Sequence, residues 1–183
     1  MKKNYVFMAD GFEDIEALAT VDILRRAGME VDTVSISGTY EVTSAHGVTI
    51  KTDITLEECD TDDAEWLILP GGMPGASNLR ACQPLCDALM LHDEKNGNIA
   101  AICASPTIVL ATLGLLQGRD ATCYPGMEND ECGVKWNDAM VVVDQNIVTG
   151  RGPAAACDFA LAIVGKTRGA AVANAVAEGM LLQ

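Results

Sequence analysis

Asn98-Ile-Ala-Ala-Ile-Cys-Ala-Ser-Pro-Thr-Ile-Val-Leu-Ala-Thr-Leu-Gly114 is the stretch from which the architecture can be read. Up to Cys103 it is a short apolar run with the character of a buried strand. Beyond it, apolar residues recur at helical spacing, with Pro106 where a first helical turn tolerates proline. Cys103 therefore stands at a strand-to-helix turn. Such a turn lifts one side chain at the edge of a sheet while the amides that follow point back at it. Those amides and the helix dipole favour negative charge, and a thiol so placed can ionise at ~3.5–7.5 rather than ~8.5. The competing reading is a small buried residue closing a strand, since free cysteine is among the most buried residue types.

Outward from that turn, strands and helices alternate. Tyr5-Val-Phe-Met-Ala9 reads as a buried first strand ended by Asp10-Gly11. A helix follows, with Ile15, Leu18, Val21 and Leu24 every three residues, acidic residues in its first turn, Arg25 and Arg26 in its last, and Gly28 as a stop. Glu30–Ile36 alternates like a second strand. Tyr40–Val42 and Val48–Ile50 are short extended pieces about a Ser44-Ala-His-Gly47 turn, and Asp60–Asp63 is a solvated acidic linker. Trp66–Leu69 is an all-apolar strand running into Pro70-Gly-Gly-Met-Pro-Gly75. That loop lacks the Lys-Ser/Thr ending of a phosphate loop, and the chain has no Gly-x-Gly-x-x-Gly, so a nucleotide site is not supported.

A helix spans about Cys82 to Lys95, ended by Asn96-Gly97, before the opening stretch begins. Later, Trp136 and Met140–Val143 read as strand, Asp144–Asn146 as a hairpin turn and Ile147–Thr149 as its return. Gly150-Arg-Gly-Pro153 opens a helix carrying Phe159, Leu161, Ile163 and Val164, and Ala170–Leu182 is a final helix. The alternation predicts a single α/β domain over residues 1–183, a mostly parallel, doubly wound sheet with helices on both faces. Sites in such folds lie beyond the strand C-termini, which would gather Asp10–Glu16, Pro70–Gly75, Cys103 and Gly150–Pro153.

Acidic residues outnumber basic ones by 26 to 12, a net charge of −14, so phosphate backbones and anionic membrane surfaces would be repelled. Seven scattered cysteines fit neither a disulfide framework nor a zinc site and point to a reducing cytoplasm; metal and cofactor are not expected. The N-terminal apolar run is too short for a signal peptide, and no stretch is long enough to span a bilayer. Partners for a thiolate are few. Of two histidines, His92 sits among charges near a helix end and reads as surface, while His46 lies in a turn that could approach a strand-end site. Glu16, in the first turn of the first helix, is the more informative carboxylate. Packed near Cys103, it would have a raised pKa and could donate to sulfur or shuttle a proton.

Taken together, Asp10-Gly-Phe-Glu-Asp-Ile-Glu16, Leu69-Pro-Gly-Gly72, Ala100-Ala-Ile-Cys-Ala-Ser-Pro106, Gly150-Arg-Gly-Pro153 and Asp158-Phe-Ala-Leu-Ala-Ile163 resemble the ThiJ/PfpI superfamily. Within it they resemble the branch of Parkinson disease protein 7 (parkinsonism-associated deglycase) and bacterial YajL. The resemblance covers nearly the whole chain. It implies a flavodoxin-like sandwich related to class I glutamine amidotransferases, usually a homodimer, with Cys103 as the reactive cysteine and Glu16 as its protonated partner. It also implies an oxyanion pocket from the amides of Gly72 and Ala104, with His46 and Tyr124 as further substrate-binding candidates.

The activity so implied is a cofactor-free glyoxalase or deglycase acting through a Cys103 hemithioacetal on small carbonyl substrates, α-oxoaldehydes or glycated protein and nucleotide. The rival is a redox-sensing chaperone with an oxidisable Cys103. A cysteine peptidase or amidase ranks last, because peptidase-type members carry histidine where this chain has Ala104. Three other departures stand out. Tyr124 replaces a histidine and, with a reference pKa of ~10, is a poor base at pH 7. His46 lies about where the branch has an arginine, and Ser105 where the family has glycine. The ThiJ name carries a thiazole monophosphate biosynthesis label that no residue here supports.

Overall fold

The architecture is described from a computed structural model over residues 2–182. In chain order the strands and helices begin β1 (Lys3–Met8), α1 (Asp14–Arg26), β2 (Val31–Ser35), β3 (Glu41–Thr43), β4 (Thr49–Lys51) and β5 (Ile54–Thr55). They continue with β6 (Ala64–Leu69), α2 (Gly75–Ala81), α3 (Gln83–Glu94) and β7 (Asn98–Ile102). A wide π-type helix, Pro106–Ala111, follows the elbow, then β8 (Asp120–Ala121), β9 (Lys135–Trp136), β10 (Val141–Asp144), β11 (Ile147–Gly150), α4 (Ala156–Arg168) and α5 (Ala170–Gly179).

Seven strands form one sheet in the order β10-β11-β7-β6-β1-β2-β5. All its pairings are parallel except the β10–β11 hairpin at one edge. From β1 the chain winds first through β2 and β5, then returns to lay β6, β7 and β11 on the other side, so the direction of winding reverses between β1 and β6. The crevice beyond their C-termini is where such sheets place ligands. Side-chain alternation along the strands feeds two cores. Val6, Met8, Trp66, Ile68, Ala100 and Ile102 meet α1, α4 and α5. Phe7, Leu67, Leu69, Ile99 and Ala101 meet α2, α3 and the π-type helix. Each fully buried large apolar side chain contributes ~1.5–3 kcal/mol, which is why a nearly all-apolar strand such as β6 must lie in the middle of the sheet.

The sandwich agrees with the sequence reading; several local expectations do not. Ile15 and Leu18, expected on the buried stripe of α1, are exposed, and the helix instead buries Glu16, Ala17, Thr20, Val21, Ile23 and Leu24. The packed face is therefore rotated, and it carries a carboxyl and a hydroxyl that a hydrophobic pattern does not register. Between the loop read at Pro70–Gly75 and the helix expected from about Cys82, the chain forms a further helix, α2 (Gly75–Ala81). Residues 106–111 do form a helix, but a widened one: the Leu115 amide reaches the Leu110 carbonyl five residues back.

His92, read as surface, is buried at 5% exposure, its ring lying over the α3–β7 turn. Burial lowers its pKa, so the charged neighbours Asp93 and Lys95 misdirected the reading. Gly97 leaves room for this ring: a Cβ there would lie 2.3 Å from Nε2. Gly97→Ala should therefore cost ~1–3 kcal/mol of stability through overpacking, read as a lowered urea midpoint at unchanged slope. An unaltered midpoint would mean that the ring turns aside freely.

Candidate active site

The elbow is built by backbone geometry. Cys103 has φ +65°, the left-handed region, which costs a non-glycine residue ~1–2 kcal/mol. It is held there from both sides. Its amide donates to the Gly150 carbonyl at the end of β11 (2.9 Å), and its carbonyl accepts from the Tyr124 amide (2.8 Å). Ser105 ties the elbow to the loop after β6 by donating its hydroxyl to the Pro70 carbonyl, which gives that departure from glycine a structural role. The thiol is 8% exposed as part of its residue and is hydrogen-bonded by the amides of Gly72 and Ala104. The two amides expected from the sequence thus converge on the sulfur.

Glu16 reaches the same point from α1. Glu13 caps the helix, its Oε2 accepting from the Glu16 amide (2.8 Å), and the Gly71 amide donates to Glu16 Oε2 (2.8 Å). The other oxygen, Oε1, is buried with no conventional hydrogen-bond partner among the described residues. The Cys103 thiol lies close enough to Glu16 for a hydrogen bond that shifts the ionisation of both groups. Gly71 makes this approach possible. A Cβ there would sit 2.6 Å from the Cys103 Cβ and 2.7 Å from Glu16 Oε2. Gly72, at φ +90°, turns its amide inward where a side chain would strike the Glu13 backbone.

Two buried acids in contact hold one negative charge far more readily than two. Burial pushes Glu16 up to about 7, against the pull of the thiol and of the Gly71 amide. Burial, and then an ionised Glu16, push the Cys103 thiol up to about 12, against the Gly72 and Ala104 amides. The sequence expectation of a thiol lowered by its helix terminus is corrected here: desolvation and the carboxylate outweigh two amides. A thiolate at Cys103 therefore goes with a protonated Glu16.

The two histidine-position candidates behave differently from this pair. His46 Nδ1 pairs with Asp14 Oδ2 (2.7 Å) at the surface, which raises the imidazole pKa, and the structure shows no contact between it and Cys103. Potential ligand atoms of Glu13, Asp14 and His46 lie within 4.8 Å of one another, but Glu13 is engaged as a helix cap and Asp14 as the imidazole's partner. Tyr124 is joined to Cys103 through its backbone, and its ring is turned toward Gly152, where an added Cβ would meet it at 3.3 Å. Residues 71 and 13 were not singled out as site residues. Gly71 was legible as the first glycine after β6, and Glu13 as an acidic residue preceding the helix.

A positive-φ cysteine between two amides, with a buried carboxyl against it and at the carboxyl edge of a doubly wound sheet, defines a cysteine-elbow protein of the flavodoxin-like class. The DJ-1/PfpI family model matches residues 2–166, and the chain belongs to that family. It is 34% identical over 172 residues to glutathione-independent glyoxalase DJR-1.2 of Caenorhabditis elegans, covering 93% of this chain and 90% of that protein. Protein DJ-1 homolog B of Arabidopsis thaliana is 36% identical over 162 residues, which are 88% of this chain and 37% of that longer protein.

Two solved structures superpose closely. The DJ-1 superfamily protein STM1931 of Salmonella typhimurium, solved as its C103A mutant, has a TM-score of 0.95 and 33% identity, with 100% of both chains covered. Oxidized DJ-1 of Toxoplasma gondii has a TM-score of 0.93 and 36% identity over 99% and 98%. Among the described residues, no helix is long and apolar enough to cross a membrane.

The displaced carboxyl makes a thermodynamic prediction. Below pH 4.5 Glu16 is protonated in both folded and unfolded chains and contributes no difference. Between 4.5 and about 7 the unfolded chain ionises first, so stability falls as pH rises, and the full loss of ~3 kcal/mol persists above 7. Glu16→Gln removes that loss. The variant should be more stable than the wild type at pH 8 by an amount of that order, with the two converging near pH 4 in urea titrations.

Proposed function

We propose that this chain is a cysteine-dependent, glutathione-independent glyoxalase or deglycase-type enzyme acting on α-oxoaldehydes or early glycation adducts. The observation that carries this reading is the pairing of Cys103, under the Gly72 and Ala104 amides, with a buried Glu16 whose pKa lies near 7. The glyoxalase name of the nematode relative supports the substrate class we infer. Nothing in the pathway below requires an oxidant or a cofactor.

In the reactive form of the pair the proton resides on Glu16 and the charge on sulfur. The thiolate adds to the aldehyde carbon of methylglyoxal, forming a C–S bond, and the new oxyanion falls between the two amides, the kind of donor pair that stabilises developing charge. Glu16 supplies a proton and, as carboxylate, removes the hydrogen from the former aldehyde carbon; the enediol is then protonated at the neighbouring carbon. The resulting thioester is hydrolysed by one water, releasing lactate and the thiol. A carboxyl that gains and loses its proton near neutral pH suits both transfers. In an early glycation adduct the C–S bond forms at the carbon that carries nitrogen as the C–N bond breaks, the amine leaves with a proton from Glu16, and the same hemithioacetal results.

Lactate formation from methylglyoxal without glutathione tests the reading. Wild type should turn over, Cys103→Ser should fall to background, and Glu16→Gln should lose roughly 10²–10⁴-fold. Folded wild type with reduced Cys103 and no turnover would overturn the assignment.

One comparison favours a second reading, since the Toxoplasma gondii neighbour was solved oxidized. Two equivalents of peroxide would take the Cys103 thiolate to a sulfinate, whose charge the Gly72 and Ala104 amides and protonated Glu16 would hold. The chain would then be a redox-sensing or chaperone protein. Intact mass and peptide mapping after mild peroxide should find a sulfinate confined to Cys103. That result in a protein without turnover would put the sensor in place of the enzyme, and oxidation scattered over the partly exposed Cys59, Cys82, Cys132 and Cys157 would eliminate it.

A further inference from the structure

A cleft of about 250 Å³ is built on the two segments that flank Cys103 in space, and is lined by Tyr124, Pro125, Met140, Arg151, Gly152 and Pro153, with Ala154 beyond them. Its walls hang from the backbone of Cys103. One wall starts at Tyr124, whose amide bonds to the Cys103 carbonyl; the other, residues 151–154, runs on from Gly150, whose carbonyl holds the Cys103 amide. Met140 closes the third side, its carbonyl accepting from the Arg151 amide. The rings and thioether are accessible: Tyr124 is 47% exposed and Met140 43%. The one cation of the lining, Arg151, is paired with Asp138 through Nη1 (2.8 Å).

We propose that this cleft receives the substituent of the 2-oxoaldehyde, so that the enzyme selects aromatic or branched alkyl 2-oxoaldehydes over methylglyoxal. The inference rests on the glyoxalase reading above. Its basis is the size and chemistry of the cleft. A volume of about 250 Å³ is below the ~300–1,000 Å³ of drug-sized pockets and suits one ring, not a nucleotide or a peptide segment. Tyrosine, methionine and proline surfaces gain from covering apolar area, and a methyl group would leave most of the space to water. The chemistry is the same as for methylglyoxal. Phenylglyoxal forms the C–S bond at its aldehyde carbon, one hydrogen passes as a proton to the adjacent carbon, and one water splits the thioester to give mandelate.

The experiment compares phenylglyoxal with methylglyoxal without glutathione and measures protection of Cys103 from iodoacetamide by the two products. Wild type should favour phenylglyoxal by roughly 10-fold or more in kcat/KM, the scale of modest apolar contacts. Met140→Gln should cut that preference about tenfold, mainly through KM. Gly152→Ala, whose methyl would press on the Tyr124 ring at 3.3 Å, should cut it in the same direction. Mandelate should protect Cys103 at lower concentration than lactate.

Methylglyoxal turnover with a kcat/KM ratio near one, unmoved in both variants, would overturn the cleft assignment and leave the glyoxalase reading standing. Failure of both oxoaldehydes would overturn the glyoxalase reading. In that case protection by mandelate, unequal to lactate or equal to it, would still decide whether the cleft binds an aromatic tail.

Discussion

Everything at this site depends on holding one non-glycine residue in the left-handed region. Cys103 is kept at φ +65° by bonds from β11 on one side and from Tyr124 on the other. Two backbone hydrogen bonds, each contributing ~0.5–1.5 kcal/mol net, offset a conformational cost of ~1–2 kcal/mol. The conformation raises the thiol out of the line of β7 and aims it at the loop after β6. That loop can come close only because Gly71 has no side chain: Cys103, Glu16 and the Ile102 carbonyl all lie within 2.9 Å of where its Cβ would be. The elbow and the diglycine are one constraint seen from two strands. A parallel sheet that places β6 and β7 side by side satisfies it without any long-range loop.

The contact so enforced sets the electrostatics. Two acids are buried together, and the low polarity that discourages either anion discourages two far more. The pair therefore gains its first charge near neutrality, where Glu16 titrates at about 7, and resists a second. The arrangement is unfavourable for stability, since an ionised Glu16 leaves Oε1 without a conventional partner. Loss of stability at a buried polar group is typical of a place where folding is subordinate to chemistry.

The sequence was most informative where burial is complete. The apolar runs at Tyr5–Ala9, Trp66–Leu69 and Asn98–Ile102, and the hairpin turn at 144–146, lie where the reading expected strands and turn, because a strand covered on both faces has no other way to be written. The positions of Cys103 and Glu16 were legible for the same reason: strand ends in such a sheet converge. What was not legible depended on neighbours distant in the chain. Gly75–Ala81 has no strong helical pattern; it is fixed as α2 because Gly75 packs on Gly11, whose carbonyl accepts from the Gly75 amide. His92 carries polar neighbours yet is buried by the turn that follows it. The direction of the thiol's ionisation was missed because a helix terminus can be read from sequence, whereas the desolvation opposing it is a property of the assembled crevice.

The departures at 124 and 46 bear on how protons move. Tyr124, where the family resemblance led one to expect a histidine, has its ring over Gly152 and walls the cleft. His46 is committed to Asp14 at the surface. The structure therefore brings no imidazole to the sulfur, and among the described residues Glu16 is the titratable group in hydrogen-bonding reach of it. In the proposed path that one carboxyl both gives and takes the proton. That role demands a pKa near the working pH: a carboxyl left at 4.5 would rarely hold the proton, and one far above neutrality would rarely release it. Burial on α1, relieved by the single Gly71 bond, places Glu16 between those limits at about 7. The same burial that makes the carboxyl costly to fold is what makes it able to work alone.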